Sequence, residues 1–266
     1  MTSRMVAAGL LVLFAAGSPV PAQEMAAIDP EALIDRILAV RQQQRDVLED
    51  VVFDAELVEK DDDGKEKKRF VKKLYLKYLP DTTWFAEEYL EYYKDGKLQS
   101  EQDRDKEVSD RIKKAQKRKA RNISYPLLTP FLPENRDQYE ILYEGVAKEK
   151  IGEYVCHYFK VLSKEKVEDN VNGDFYFEAE SFHLVRADIS PARLVKKAMF
   201  KLNELTISTL VGPAGNGVWL PRQADVQGKG KAALFMGVKF SSTEYYRNPV
   251  VNSGLADKIF EVDNDE

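Results

Sequence analysis

The chain has 266 residues, of which 32% are charged and 44% hydrophobic, with 13 Tyr, 13 Phe, two His and one Cys. This apolar content excludes wholesale disorder, and a single Cys excludes an intrachain disulfide framework and Cys-rich zinc or iron–sulfur sites. The formal charge of -5 argues against nucleic acid as a partner, because phosphate binding needs a basic face.

Residues 1–22 have the pattern of a cleavable signal peptide. Arg4 is followed by the apolar run Met5–Ala16 and then by small residues and prolines up to Ala22. As a helix this run spans about 18 Å, which is too short for a bilayer core of ~30 Å. We therefore predict export to the periplasm with cleavage after Ala22, and no lipid anchor because no Cys follows the run. A retained membrane anchor is the alternative interpretation.

The mature chain, residues 23–266, begins with a predicted amphipathic helix. Asp29 is typical of an N-cap and Pro30 of the first helical position. Apolar residues at helical spacing then extend towards Gln44: Leu33, Ile34, Ile37, Leu38 and Val40. This apolar face needs a partner surface, and the downstream sequence predicts that the partner is a sheet.

From Val51 onward the hydrophobic period changes to two, which predicts β-strands. The first half of the chain contains three of them, Val51–Val58, Phe70–Tyr78 and Trp84–Tyr93. Asp95-Gly96 after the third strand is a type I′ hairpin signal. In the second strand, one face is apolar and carries Phe70, Leu74, Leu76 and Tyr78.

Two unusual segments interrupt the strands. Residues 102–122 are almost entirely charged and predict an exposed helical insertion. Its basic end allows a polyanion-binding interpretation, but a solvated helical face is the commoner cause of such a run. Tyr125–Pro133 is apolar but contains three prolines, so it cannot form a helix or a central strand. We expect it to lie as a lid or plug across a hydrophobic face.

Strands resume after this loop and are bounded by turn residues. The predicted strands are Tyr139–Tyr143, Glu153–Leu162, Asp174–Ala179, Leu184–Ile189, Phe200–Val211, Val218–Val226 and Lys231–Arg247. Asn172-Gly173, Gly212-Pro213 and Gly228-Lys229-Gly230 are interpreted as turns. About ten strands and one main helix predict a single α+β, mainly antiparallel β domain over residues 23–266, in which a curled sheet forms an incomplete, half-open β-barrel.

Residue types that often carry catalysis are sparse. Cys156 and His157 are neighbours on a predicted strand, so their side chains point to opposite faces and cannot form a nucleophile–base pair. The acidic run Glu59–Gly64 fails as a calcium loop because Phe70 stands where a bidentate carboxylate is required. We therefore predict that the protein is not an enzyme and has no metal or cofactor.

In the order and spacing of several short motifs, the chain resembles the outer-membrane lipoprotein-sorting superfamily, the LolA- and LolB-like carriers with the MucB/RseB sensor domain as a relative. The motifs are the helix Pro30–Gln44, the strand Val51–Glu59, Lys77-Tyr78, Tyr92–Gly96, Gly152–Tyr154, Phe175–Glu178 with Leu184–Arg186, and Gly217–Pro221. Carriers of the superfamily have an Arg-Pro pair near the second strand, whose arginine helps to latch the lid. The comparable stretch here, Lys77–Pro80, lacks that arginine.

The resemblance implies an unclosed β-barrel, capped by helices or loops, whose apolar cavity takes up acyl chains. We therefore expect a monomeric, non-enzymatic periplasmic carrier or sensor that binds lipid or lipoprotein acyl chains, with envelope membrane proteins as further partners. A protein-interaction or scaffold module with a filled sheet core, in which residues 102–122 dock a partner, is the alternative. The residues expected to line the cavity and its lid are Phe70, Leu74, Leu76, Tyr78, Trp84, Leu90, Tyr92, Leu127, Leu128, Phe131, Leu132, Phe175 and Phe177.

Overall fold

A computed structural model of the chain describes residues 29–80, 82–117, 127–167, 169–194, 196–197, 200–232 and 236–261. The predicted signal peptide and the end of the charged insertion, residues 118–122, lie outside the described residues. Among the described helices, none is long and apolar enough to cross a membrane.

Strands dominate the described part of the chain. They are β1 (Asp50–Lys60), β2 (Glu66–Tyr78), β3 (Thr83–Lys94), β4 (Lys97–Leu98), β5 (Tyr139–Val146), β6 (Cys156–Ser163), β7 (Val171–Glu178), β8 (Leu184–Pro191), β9 (Lys196–Lys197), β10 (Phe200–Gly215), β11 (Val218–Ala232) and β12 (Met236–Val251). The α-helices are α1 (Pro30–Val47), α2 (Glu101–Lys117) and α3 (Pro133–Arg136), and 3-10 turns form at Thr129–Phe131 and Asp257–Ile259.

All of these strands belong to one antiparallel sheet. Their order is β4-β3-β2-β1-β12-β11-β10-β8-β7-β6-β5, and the short β9 pairs with β10. The end strands β4 and β5 do not pair with each other in the described structure, so the barrel stays incomplete. The predicted fold class is confirmed. The sheet is joined at its centre by β1 and β12, which pair from Val51 with Val251 to Lys60 with Ser241.

We define the inner face of the sheet as the face that carries α1, α2 and the proline-rich loop. It can be followed across the sheet because directly opposed residues on antiparallel strands share a face. One such row, from β3 to β5, is Tyr92, Phe70, Leu57, Glu244, Ala224, Thr209, Ala187, Phe175, Phe159 and Tyr143. The row is aromatic at both ends and has small or polar side chains in the middle.

Helix α1 starts as predicted and runs one turn further than expected. The Asp29 carboxylate accepts a hydrogen bond from the Glu31 N–H at 3.0 Å, and Pro30 occupies the first turn. The helix ends at Val47, where Leu48 takes an extended conformation. Its end is tied to β11 because the Gln44 side-chain amide exchanges two 2.9 Å hydrogen bonds with the Trp219 backbone.

Three of the glycine-containing turns predicted from the sequence are wrong, because those residues lie inside strands. Gly173 is in β7, Gly212-Pro213 in β10 and Gly228–Gly230 in β11. At Gly228 the Phe240 ring of β12 lies across the backbone, so a Cβ atom there would come within 2.2 Å of the ring. The glycine therefore permits a close approach within the sheet. The Asp95-Gly96 hairpin turn is confirmed by positive φ at both residues.

Candidate functional site

The inner face over β5–β8 is filled by the chain's own side chains. Leu33, Ile34 and Ile37 of α1 pack into a buried cluster with the aromatic residues of these strands. Phe131 of the proline-rich loop sits at its centre, with its ring nearly perpendicular to those of Phe159, Phe175 and Phe177, at centroid distances of 5.8, 5.1 and 5.5 Å. All four Phe side chains are fully buried. The loop therefore acts as a plug over this half of the sheet.

The predicted lid residues all belong to this plug or lie beside it. Leu127 and Leu128 are partly buried against the same cluster, and Leu132 follows the 3-10 turn as the N-cap of α3. Phe131 contacts both Phe175 and Phe177, so a guest molecule reaches these two rings only if the loop moves away. Phe70 is also fully buried, stacked on Tyr92 with ring centroids 4.8 Å apart.

The inner face over β1–β3 and β12 is less completely covered. Its partly exposed apolar residues form what we call the apolar shelf: Leu74, Leu76, Tyr78, Phe85 and Tyr246. Leu76 lies opposite the buried Val51 and also opposite Phe85, whose side chain is 54% exposed. On the same face, a second apolar cluster of buried residues packs against Leu74, Leu76, Tyr78 and Tyr246: Leu48, Val51, Phe53, Val218 and Leu220. Burial raises the pKa of Tyr78 to about 12, so the residue stays neutral at physiological pH.

Two of the predicted cavity residues, Trp84 and Leu90, do not follow the alternation expected for β3. A β-bulge between Val71 and Lys72 on β2 leaves Leu90 as the extra residue of β3, and Leu90 is 40% exposed. The bulge reverses the alternation, so Tyr92 and Phe85 face inward whereas Trp84 lies on the outer face, with its ring 5.9 Å from that of Phe260. The inward residue near the start of β3 is therefore Phe85.

Helix α2 lies against the inner face beside the shelf and is held mainly by charged groups. Arg111 pairs with Glu59 at 2.5 Å, and Lys68 pairs with Glu107 at 2.5 Å. The Arg111 guanidinium also lies 4.7 Å from the Phe70 ring centroid. The predicted exposed helix is thus half right, because one side of α2 faces water and the other packs on β2 and β3.

A charged cluster on the inner face borders the shelf. Lys72, whose side chain is only 3% exposed, binds the carboxylates of Glu87 on β3 and Glu244 on β12, the latter at 2.6 Å. Each carboxylate also accepts a hydroxyl hydrogen bond, Glu87 from Tyr89 at 2.9 Å and Glu244 from Tyr246 at 3.0 Å. We call these three charged residues the Lys72 triad, and its formal charge is negative.

The protonation states of this cluster follow from its geometry. Burial on its own would lower the pKa of Lys72, but the attraction of Glu244 and Glu87 outweighs it and the pKa is raised. Lys72 therefore stays positively charged. Burial, together with the neighbouring Glu87, raises the pKa of Tyr89 to about 12. The hydroxyls consequently remain hydrogen-bond donors to the two carboxylates.

The stretch Lys77–Pro80 lacks the arginine that the resemblance implies, but an arginine from helix α1 contacts it. Arg45, in the last turn of α1, donates a hydrogen bond from its guanidinium to the Pro80 carbonyl at 2.8 Å. Lys77 of the same stretch points to the outer face, where it binds the Leu255 carbonyl at 2.9 Å. The link between helix and strand end is therefore made from the helix.

The enzyme-like residues are used structurally. Cys156 is fully buried, and this burial raises its thiol pKa to about 11. His157 points to the opposite face and its Nδ1 lies 3.0 Å from the Tyr143 hydroxyl. His183 stacks on Trp219 with ring centroids 5.0 Å apart. Among the described residues, no three His, Cys, Asp or Glu side chains come together as a metal site.

A cleft of about 570 Å³ opens at the tip of the β1–β2 hairpin, away from the apolar shelf. Its lining is mostly charged and includes Asp61–Asp63, Lys67, Lys68 and Lys239. None of the predicted cavity residues lines it, so the cleft is separate from the acyl-chain site expected from the sequence.

The fold and the shelf together define an open antiparallel barrel with helices on its inner face. No protein-family model and no curated protein matches the sequence. Solved structures similar to the chain include a DUF1329 family protein from Desulfovibrio piger, with 15% identity and a TM-score of 0.45, covering 88% of this chain and 98% of that one. A putative outer membrane lipoprotein-sorting protein domain from Vibrio parahaemolyticus has 11% identity and a TM-score of 0.43, covering 85% and 97%.

A LolA superfamily protein from Nitrosomonas europaea has 10% identity and a TM-score of 0.35, covering 85% of this chain and 98% of that one. The last two structures carry names from the superfamily that the sequence resembles. At such identities the likeness concerns the fold alone, and what this chain binds depends on its own side chains.

Five residues of the site are missing from the sequence-based prediction: Lys72, Phe85, Glu87, Tyr246 and Glu244. Lys72 has the same parity as Phe70 and Leu74, so strict alternation along β2 already places it on the inner face. The sequence does not predict that Phe85 and Glu87 face inward, because the bulge in β3 reverses the alternation. The positions of Tyr246 and Glu244 beside β1 follow only from the pairing of β12 with β1.

Proposed function

We propose that this protein is a non-enzymatic periplasmic binding protein, a carrier or sensor that holds lipid or lipoprotein acyl chains against the apolar shelf. The observation that carries the proposal is the contrast between the two halves of the inner face. The β5–β8 half is sealed by α1 and Phe131, whereas the shelf keeps apolar side chains within reach of solvent. An apolar surface that is left partly open inside a fold suits an apolar guest.

Burial of methylene groups supplies the binding energy. Each CH₂ removed from water contributes about 0.8 kcal/mol, so a chain of roughly 12 carbons offers on the order of 10 kcal/mol before costs. Lost translational freedom and chain ordering subtract several kcal/mol or more, which keeps release feasible. The side chains in the ion pairs of α2 are 21–32% exposed, and such partly exposed pairs contribute little stability, so this helix can be displaced when a chain enters.

The test is lipid binding by the purified mature protein. We expect co-purifying lipid in mass spectra, and binding of a fluorescent fatty acid that Leu76→Gln weakens several-fold. Val71→Gln is the matched control, because Val71 lies on the same strand but faces outward. Absence of lipid and of probe binding in the unaltered protein would contradict the proposal, as would equal effects of the two substitutions.

The packed β5–β8 half favours a second candidate, a scaffold whose sheet core is filled. In that case α2, with its charged outer side and its exposed Ile112, docks a partner protein. Replacing exposed α2 residues would then abolish partner capture and leave fatty-acid binding unchanged. If these substitutions leave partner capture intact and Leu76→Gln weakens fatty-acid binding, the acyl-chain proposal is supported instead.

A further inference from the structure

The Lys72 triad borders the apolar shelf directly. Along β2, Lys72 is two residues from Leu74 and points to the same face, and Glu87 lies directly opposite Leu74. On β12, Glu244 is two residues from Tyr246, the shelf residue of that strand. A molecule lying along Leu76 and Leu74 with one end towards Lys72 therefore meets the triad with that end.

The triad offers carboxylate oxygens rather than an ammonium group to such a molecule. Lys72 is 3% exposed and is already bound by two carboxylates, so its charge is screened from the shelf. The side chains of Glu87 and Glu244 are 30% and 22% exposed, and a carboxylate oxygen accepts more than one hydrogen bond. The triad carries one positive and two negative charges, so its field at the shelf is that of an anion.

The other charged groups on this part of the inner face do not cancel that field. Arg111 is neutralised by Glu59, and Lys68 by Glu107, each at 2.5 Å. These pairs attach α2 to β1 and β2 and contribute no net charge. Arg45 lies at the opposite end of the shelf, where it binds the Pro80 carbonyl. The excess negative charge at the Lys72 end of the shelf therefore belongs to the triad.

We propose that the Lys72 triad makes the shelf selective for amphiphiles with a cationic head group, such as an amine or quaternary ammonium, over those with a carboxylate head. The inference rests on the proposed function, since it assumes an apolar chain on the shelf. The apolar tail lies along Leu74, Leu76 and Phe85. The cationic head group is attracted by the carboxylates of Glu87 and Glu244. A carboxylate head at the same place meets like charge.

The experiment compares three amphiphiles with the same dodecyl tail: dodecyltrimethylammonium, dodecanoate and neutral dodecyl maltoside. Their dissociation constants are measured below micelle-forming concentrations, by displacement of the apolar dye N-phenyl-1-naphthylamine from the mature protein. We expect the ammonium compound to bind roughly fivefold more tightly than the carboxylate, the ratio given by about 1 kcal/mol of charge interaction. Raising the salt concentration should reduce this ratio.

Substitutions locate the source of the preference. Glu87→Gln and Glu244→Gln each bring the triad to zero net charge and should remove the preference. Glu88→Gln is the matched control, because it changes the total charge equally but lies on the outer face of the same strand. It should leave the preference intact. Each variant is checked for native circular dichroism, and the salt series on the unaltered protein tests the inference if a variant does not fold.

The outcomes separate the two proposals. If dodecyl maltoside binds but the charged amphiphiles show no preference, or the carboxylate binds more tightly, the head-group inference is overturned and the acyl-chain proposal stands. If Glu88→Gln removes the preference as strongly as Glu87→Gln, the preference comes from the overall charge of the protein and not from the triad. If none of the three amphiphiles binds, the acyl-chain proposal itself fails.

Discussion

Asp50 fastens the C-terminal segment of the chain to the start of β1, and its loss should be costly. Its carboxylate is almost fully buried, and it accepts four hydrogen bonds. One oxygen accepts from the Ser253 N–H at 2.7 Å and its hydroxyl at 2.8 Å. The other accepts from the N–H groups of Gly254 at 2.9 Å and Leu255 at 3.0 Å. Asp50→Asn keeps the shape but turns an NH₂ group towards two of these donors.

The magnitude follows from the two hydrogen bonds lost. Each bond to a charged acceptor contributes roughly 1.5 kcal/mol or more, so the variant should lose about 3 kcal/mol of unfolding free energy. Urea unfolding followed by tryptophan fluorescence should show a midpoint lower by about 1 M. Asp54→Asn is the control on the same strand, since its bonds to Lys73 and Asn248 are exposed. It should cost only about 0.5 kcal/mol.

The stability difference between the wild type and Asp50→Asn should depend on pH. Burial on its own would raise the pKa of Asp50, but the hydrogen bonds from Leu255, Ser253 and Gly254 outweigh it and lower the pKa. The stabilisation is therefore complete above the unfolded-state pKa of about 3.9 and is lost as the pH falls from there through the folded-state pKa. The difference between wild type and Asp50→Asn should be constant from pH 7 to 5 and shrink below about pH 4. Equal costs for both variants, or a difference that does not change with acid, would refute the reasoning.

Three further predictions concern other parts of the fold. Phe131→Ala should lower the unfolding free energy by about 3–5 kcal/mol in urea titrations, because the ring fills the centre of a buried aromatic cluster. A cost below about 1 kcal/mol would contradict the role of the proline-rich loop as a plug. Arg111→Met, or molar salt, should increase hydrogen exchange in α2 relative to α1, because the side chains of the Arg111–Glu59 pair are about 30% exposed and the pair can be screened. Equal exchange in the two helices would show that apolar contacts hold α2. Cys156 should react with thiol reagents at pH 8 only after unfolding, because the thiol is buried and its pKa is raised to about 11. Rapid labelling of the native protein would contradict this prediction.

The sequence predicts the architecture well where one face of an element is uniformly apolar. The alternation in β1 and β2 and the helical spacing in α1 are local patterns, and the structure follows them. The proline-rich loop is also recognisable, because an apolar segment that cannot be regular must be covered. In each case the physical cause lies within the segment itself.

The failures have non-local causes. The bulge at Leu90 inverts the facing of β3, and nothing in the flanking residues marks it. Gly228 has the composition of a turn, but its role is set by Phe240, which lies on another strand. The Lys72 triad draws its members from β2, β3 and β12, so its existence depends on a pairing between residues more than 170 positions apart. Local periodicity carries no information about such contacts.

Because β1 and β12 are far apart in sequence, we expect their pairing to form late in folding. The hairpins β1–β3 and the meander β5–β8 consist of neighbours in sequence, so each can form as soon as its own residues are available. The seam between them closes only after residues 236–251 have been synthesised. Until then β1 exposes an unpaired edge, and a chain stopped before β12 would present that edge to other molecules. Truncation near the C-terminus should therefore yield an aggregating product rather than a smaller stable barrel.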